Sequence, residues 1–215
     1  MIKTSNLIEA LVADARPVRR LRPPVLRAAL WLLLAALIFG LLAVGHGVRP
    51  DLAQRLELPD FIVGTAAALL TGVLAAVASF MLNLPDRSRG WALLPVPALL
   101  VWMATLGYGC LVNWVSIGPD GVQVGETARC FATVLMTSLP LSLAMFAMLR
   151  RGAVLSASTV SLTGSLAVAA ITATAMSIFH SLDASVMILV WNLGTAALIV
   201  ALGRWLGPRL AVTGC

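Results

Sequence analysis

Six uninterrupted apolar runs leave the chain few ways to fold: near Ala28–Val44, Phe61–Leu82, Trp91–Val115, Phe131–Leu149, Leu155–Phe179 and Ala184–Leu206. A run of about 20 apolar residues can cross about 30 Å of hydrocarbon as a helix. No water satisfies the backbone inside hydrocarbon, so only helices and closed barrels span it. The runs lack the period-two alternation of a barrel with a polar lumen. They therefore predict an all-α polytopic membrane protein, a bundle of six transmembrane helices. Composition removes the soluble alternative. Of 215 residues 60% are hydrophobic and 11% charged, whereas a soluble domain carries about a quarter charged residues.

The expected organisation is a cytoplasmic segment at 1–27, a six-helix transmembrane domain at 28–206 and a cytoplasmic tail at 207–215. The long basic preamble and long apolar core of the first run fit a retained span better than a cleaved signal peptide. Orientation follows from the loops. With the N-terminus cytoplasmic, Lys3, Arg16, Arg19, Arg20, Arg22, Arg27, Arg87, Arg89, Arg150, Arg151, Arg204 and Arg209 fall inside, and only Arg49, Arg55 and Arg129 outside. This is the asymmetry of the positive-inside rule, and it places both termini in the cytoplasm.

Cys110 then lies near the outer end of span three and Cys130 at the outer start of span four. Outside the membrane a disulfide persists. Gly118-Pro119-Asp120-Gly121 is a turn signal, and its flanks Val115–Ile117 and Val122–Val124 are candidates for a short hairpin that would draw the two helix ends together. Two readings stay open: a disulfide or reactive pair, or two small hydrophobic cysteines buried among helices. Cys215, on the opposite side, reads as an incidental thiol. His46 in "VGHGVRPD" and His180 in "IFHSLDAS" share the outer boundary. Cys110, Cys130, His46 and His180 are a sensible ligand set for zinc or a similar transition-metal ion. The competing reading is interfacial histidines bonded to loop backbone, with no cofactor at all.

Mid-span chemistry is sparse. No Asp, Glu, Lys or Arg falls in the middle of a run, which counts against an ion-coupled transporter. Gly64 and Gly72 in span two, and Ser158, Ser161, Gly164 and Ser165 in span five, read as close helix packing. Pro140 interrupts span four and is either a static kink or a hinge.

The N-terminal segment is "MIKTSNLIEALVADARPVRRLRPPVLR". Asn6 caps a short helix with Glu9 three residues on, and Leu7, Ile8, Leu11 and Val12 share one face before Pro17 ends it. So short a helix is unstable alone in water. It needs a partner groove or a lipid interface. Arg16, Arg19, Arg20 and Arg22, interleaved with prolines, make an extended basic connector suited to anionic membrane lipid or an acidic protein. Direct binding of nucleic acid is not expected, because no reading motif accompanies the arginines.

The segments "LIEALVADARPVRRLRPP", "LPDRSRGWALLP", "GYGC", "GPDG" with "GETARCF", and "FHSLDASVMILVWNLG" together resemble the NrsF-type negative regulators of sigma factor F, over nearly the whole chain. Those are six-span inner-membrane anti-sigma factors of proteobacteria. The resemblance implies that the cytoplasmic N-terminal segment, through Asn6, Leu7, Ile8, Glu9, Leu11, Val12, Arg16, Arg19, Arg20 and Arg22, holds an extracytoplasmic-function sigma factor at the membrane. The loop at Asp86–Arg89 is a candidate to assist. It further implies that a periplasmic redox or metal stress signal, sensed at the cysteine pair matching Cys110 and Cys130, releases that factor.

The expected function is thus a regulator and not an enzyme. Two other classes stay open. A membrane thiol oxidoreductase would use the same cysteines, but the chain lacks a C-x-x-C motif or second pair to relay electrons. A small-solute transporter or channel fits six spans, but no charge lines a pathway.

Overall fold

The computed structural model describes residues 22–113, 124–150 and 157–179, together with Glu9, Val12, Ala13 and Gly194. Every regular element among the described residues is helical. Five long helices follow one another: α1 at Pro24–His46, α2 at Pro59–Leu82, α3 at Val96–Asn113, α4 at Val124–Leu149 and α5 at Ala157–Phe179. One helical turn at Leu52–Arg55 lies between α1 and α2, and a 3₁₀ turn at Arg89–Leu93 leads into α3. Five segments are long and apolar enough to cross a membrane, one for each of the first five runs. The sixth run lies outside the described residues except for Gly194.

Prolines set several helix starts. Pro24 and Pro59 occupy the first turns of α1 and α2, where their missing N–H would have no intrahelical partner. The Pro23 carbonyl accepts the Arg27 N–H at 3.1 Å, so α1 begins four residues before the first apolar run and carries Arg27 within it. At α4 the helix likewise starts early. Val124 is helical and so cannot serve as a hairpin flank; residues 115–117 and the turn Gly118–Gly121 lie outside the described residues.

Side-chain contacts fix the directions. Arg27 and Trp31, early in α1, meet Met148 and Leu141, late in α4. Phe39, later in α1, stacks edge-on against Phe179 at the end of α5, with ring centroids 6.1 Å apart. Hence α1 runs parallel to α5 and antiparallel to α4. The bundle has an Arg27 end, with the starts of α1 and α5 and the finish of α4, and an opposite Arg49 end.

Helix α5 is the hub. In its apolar window 72% of residues are buried, against no more than 39% in the other four. Its most extensive partner is α2, which presents Ala68, Gly72, Ala75 and Ser79 in a row of small buried residues. Small side chains let two helix backbones approach closely, and dispersion then replaces the hydrophobic drive that lipid does not supply. At Gly72 the approach is closest: a Cβ there would sit 2.8 Å from both Cδ1 and Cγ1 of Ile171 and 3.2 Å from the Ile171 backbone nitrogen. Gly164 of α5 packs on Met145 and Leu149 of α4 at ordinary contact distance.

The buried hydroxyls are mostly absorbed within their own helices. Thr71, Thr137, Thr163, Thr174 and Ser177 each donate to the carbonyl four residues back. The main core joins Trp31 of α1, Phe80 of α2, Leu141, Met145 and Leu149 of α4, and Val160 to Ile171 of α5. A second cluster sets Trp102 of α3 against Ala67, Ala68, Ala170 and Ala173.

Gly72→Leu is expected to push α2 from α5 and to destabilise the detergent-solubilised protein by about 1–3 kcal/mol, the usual cost of overpacking. Gly40→Leu, where a Cβ meets nothing within 4 Å, is the neutral control. Thermal unfolding followed by circular dichroism distinguishes them, and equal midpoints would refute the close approach.

Candidate functional site

The first candidate region is the Arg27 end, where the N-terminal segment enters the bundle. Arg22 and Pro23 are exposed, and one helical turn later Arg27 is 5% exposed. A buried guanidinium must be bonded or pay a large desolvation cost. Here Nη2 donates to the Met148 carbonyl, in the last turn of α4, and the guanidinium lies 5.0 Å from the centroid of the Phe80 ring. A cation over an aromatic face contributes roughly 0.5–2 kcal/mol. One turn further, Trp31 is fully buried and its Nε1–H donates to the Leu141 carbonyl at 3.0 Å. The start of α1 is therefore tied to the finish of α4 at two levels. Beyond α2, the loop carries exposed Asp86, Arg87, Ser88 and Arg89, with Asp86 and Arg87 3.7 Å apart. Asn83, between that loop and α2, is fully buried, and neither its Oδ1 nor its Nδ2 has a hydrogen-bond partner among the described residues.

At the opposite end, Arg49 organises the α1–α2 connection. Its Nε and Nη2 donate to the two carboxylate oxygens of Asp51 at 2.7 and 2.8 Å, a bidentate pair. Nη1 donates to the Ser177 carbonyl and the backbone N–H to the Ile178 carbonyl, each at 3.3 Å. Those carbonyls belong to the last turn of α5, which has no intrahelical donors of its own and carries the negative end of the helix dipole. The guanidinium also lies 5.9 Å from the Phe61 ring centroid, and Arg55 reaches Asp51 at 3.5 Å. The result is a latch from the loop onto the end of the central helix. The hydrogen bonds from Arg49 lower the Asp51 carboxyl from 3.8 to about 2.

Cys110 lies in α3 near its end at Asn113, and Cys130 lies in the second turn of α4. The helix directions put both backbone positions at the Arg49 end. His46, the last residue of α1, is at the same end. The side chains of Cys110, Cys130 and His46, and the whole of His180, lie outside the described residues. Among the described residues no group of three or more His, Cys, Asp and Glu side chains is placed to hold a metal ion. On the N-terminal segment, Glu9, Val12 and Ala13 are helical and exposed. Asn6, Leu7, Ile8, Leu11, Arg16, Arg19 and Arg20 lie outside the described residues.

Sequence reasoning missed three features. Arg27 enters the sequence reading only as an inside charge, although its spacing of four from Trp31 puts both on one helix face. Arg49 was counted only as an outer charge. Its signal was "RPD", in which a rigid proline separates an arginine and an aspartate. Asn83 carried no signal, since it closes an apolar run as many loop residues do.

The latch has a definite pH response. Because the folded-state carboxyl of Asp51 is depressed from 3.8 to about 2, its contribution is complete above the ordinary value and is lost as pH falls through that window. The thermal midpoint in detergent is expected to be insensitive to this group from pH 8 to about pH 4 and to drop below it. Asp51→Asn should lower the midpoint at pH 7 and remove this part of the acid-side fall. An unchanged midpoint at pH 7 would show that the latch does not hold the loop.

Comparison with known proteins gives one clear result. No curated protein and no solved structure matches the chain. The sequence model of one family does, over residues 11–211 and thus from the N-terminal segment through all six apolar runs. The chain belongs to the family of negative regulators of sigma F.

Proposed function

We propose that this protein is an anti-sigma factor of the bacterial inner membrane, with both termini in the cytoplasm, that holds an extracytoplasmic-function sigma factor through residues 1–27 and releases it on a periplasmic signal. The carrying observation is the family match, which runs from within the N-terminal helix to the sixth run. The positive-inside bias supports the orientation. In that orientation the Arg27 end faces the cytoplasm and the Arg49 end, with the backbone positions of His46, Cys110 and Cys130, faces the periplasm.

The binding surface in this reading is the segment around Glu9 and Val12, with Leu7, Ile8 and Leu11 as the apolar residues of its sequence pattern, followed by Arg16, Arg19, Arg20 and Arg22. The exposure of Glu9, Val12 and Ala13 fits a segment that presents itself to a partner. Folding on binding costs the helix part of its gross interaction energy, which favours a reversible complex over a permanent one. The signal is oxidation of Cys110 and Cys130 or capture of a soft metal ion by them, in the compartment where either state persists. A coupling of about 1–3 kcal/mol between the outer site and the tail changes sigma occupancy 5- to 150-fold.

Pull-down from native membranes is expected to recover a sigma factor with the intact chain and to lose it when residues 1–15 are deleted. Arg19→Ala combined with Arg20→Ala should weaken retention about tenfold or more. Cys110→Ser and Cys130→Ser should retain the factor and fail to release it under oxidant or cadmium. Equal recovery with and without the first fifteen residues would overturn the assignment of the binding segment.

A further inference from the structure

Helix α4 is divided at Pro140 into two unlike halves. After the proline, Leu141, Met145 and Leu149 are buried members of the main core, and Ala144 and Met148 pack against it. Met145 also receives a contact from the Ser79 hydroxyl, 3.7 Å from its sulfur. Before the proline, residues 132–139 contribute no member to either core cluster of the described residues. There the inward residues are Thr133, Thr137 and Ser138, while Leu135, Met136 and Leu139 are exposed. The half that begins near Cys130 is thus attached by small polar side chains, and the half that ends at Leu149 is gripped by large apolar ones.

The proline stands at the boundary. It has no N–H to give the Met136 carbonyl, so the helix lacks one bond where the two halves join. The next residue is Leu141, the one whose carbonyl accepts the buried Trp31 N–H. A change in bend at Pro140 re-aims that carbonyl, and Trp31 is the side chain that holds it. Two turns on, Arg27 holds the Met148 carbonyl. Both donors lie in the first two turns of α1, directly after the connector that carries Arg22.

We infer that Trp31 and Arg27 are positioning residues that pass a change of bend in α4 at Pro140 to the start of α1, and so to the N-terminal segment in front of it. This rests on the reading of that segment as the partner-binding element. A signal at the outer half of α4 then has a physical route to the cytoplasmic face: the loosely attached half moves, the bend at Pro140 changes, and the Leu141 and Met148 carbonyls just beyond it are re-aimed against Trp31 and Arg27.

A double-mutant cycle tests the route with no stimulus applied. Full-length protein in lipid nanodiscs is compared as wild type, Pro140→Ala, Trp31→Phe and the double variant, by amide hydrogen exchange of the peptide covering residues 22–34. Pro140→Ala restores the missing N–H and is expected to change that exchange at least about twofold, and the change should largely vanish in the Trp31→Phe background. Arg27→Gln, which keeps a donor and loses the charge over Phe80, is a second background in which the effect should be reduced. Gel filtration verifies the folded fraction of each. An effect of Pro140→Ala that is equal in all backgrounds, or absent in the wild-type one, overturns the inference. Sigma retention is measured on the same proteins. Non-additive exchange with unchanged retention would leave the coupling standing and sink the tail as the output.

Discussion

The bundle depends on how closely α2 and α5 approach. Lipid is as apolar as a leucine side chain, so burying leucine against leucine gains nothing over leaving it in the bilayer. What holds helices together there is contact density, and the Ala68–Gly72–Ala75–Ser79 row of α2 supplies it by letting Ile171 and its neighbours come within van der Waals range. With α2 and α5 joined, the remaining helices have a surface to pack on. Trp102 of α3 covers the alanines at one level, and Trp31, Leu141 and Met145 of α1 and α4 close the other. The large side chains are therefore used around the pair, and the small ones inside it.

At each end of the bundle a buried arginine performs the same task. Arg27 bonds the Met148 carbonyl at the finish of α4, and Arg49 bonds the Ser177 carbonyl at the finish of α5. In each case the guanidinium satisfies an acceptor that its own helix leaves open, lies on a phenylalanine ring and draws a positive charge to the negative end of a dipole. The contrast is in their company. Arg49 pairs with the Asp51 carboxylate, which Arg55 also reaches, and Arg27 bonds the Met148 carbonyl and lies over the Phe80 ring.

Much of this was legible in the sequence. Five of the six apolar runs became the five helices, because hydrocarbon admits no other element for a continuous apolar stretch. The place of Cys110 near the end of α3 followed from the run boundaries, whereas Cys130 lies a turn further into its helix than its run implied, because α4 starts at Val124. The helix starts were less legible. Pro23-Pro24 reads equally as an extended connector and as the first turn of a helix, and only tertiary burial of Arg27 decides between them. Val124 was assigned to a hairpin on local propensity, and the helix behind it extended over that residue instead. The Arg49–Asp51 pair had a signal in "RPD", but the bonds from Trp31 and Arg49 into the bundle were not legible, since each reaches a carbonyl more than a hundred residues away.

The central position of α5 has a consequence for biosynthesis. Residues 157–179 leave the ribosome after the four helices that pack around the bundle interior, yet they are the residues those helices enclose. The alanine row of α2 is made before the helix that covers it. The final arrangement of the earlier spans must wait for the fifth span to arrive and slot between them. Among the five described helices, the order of synthesis therefore makes the closing of the core the last event.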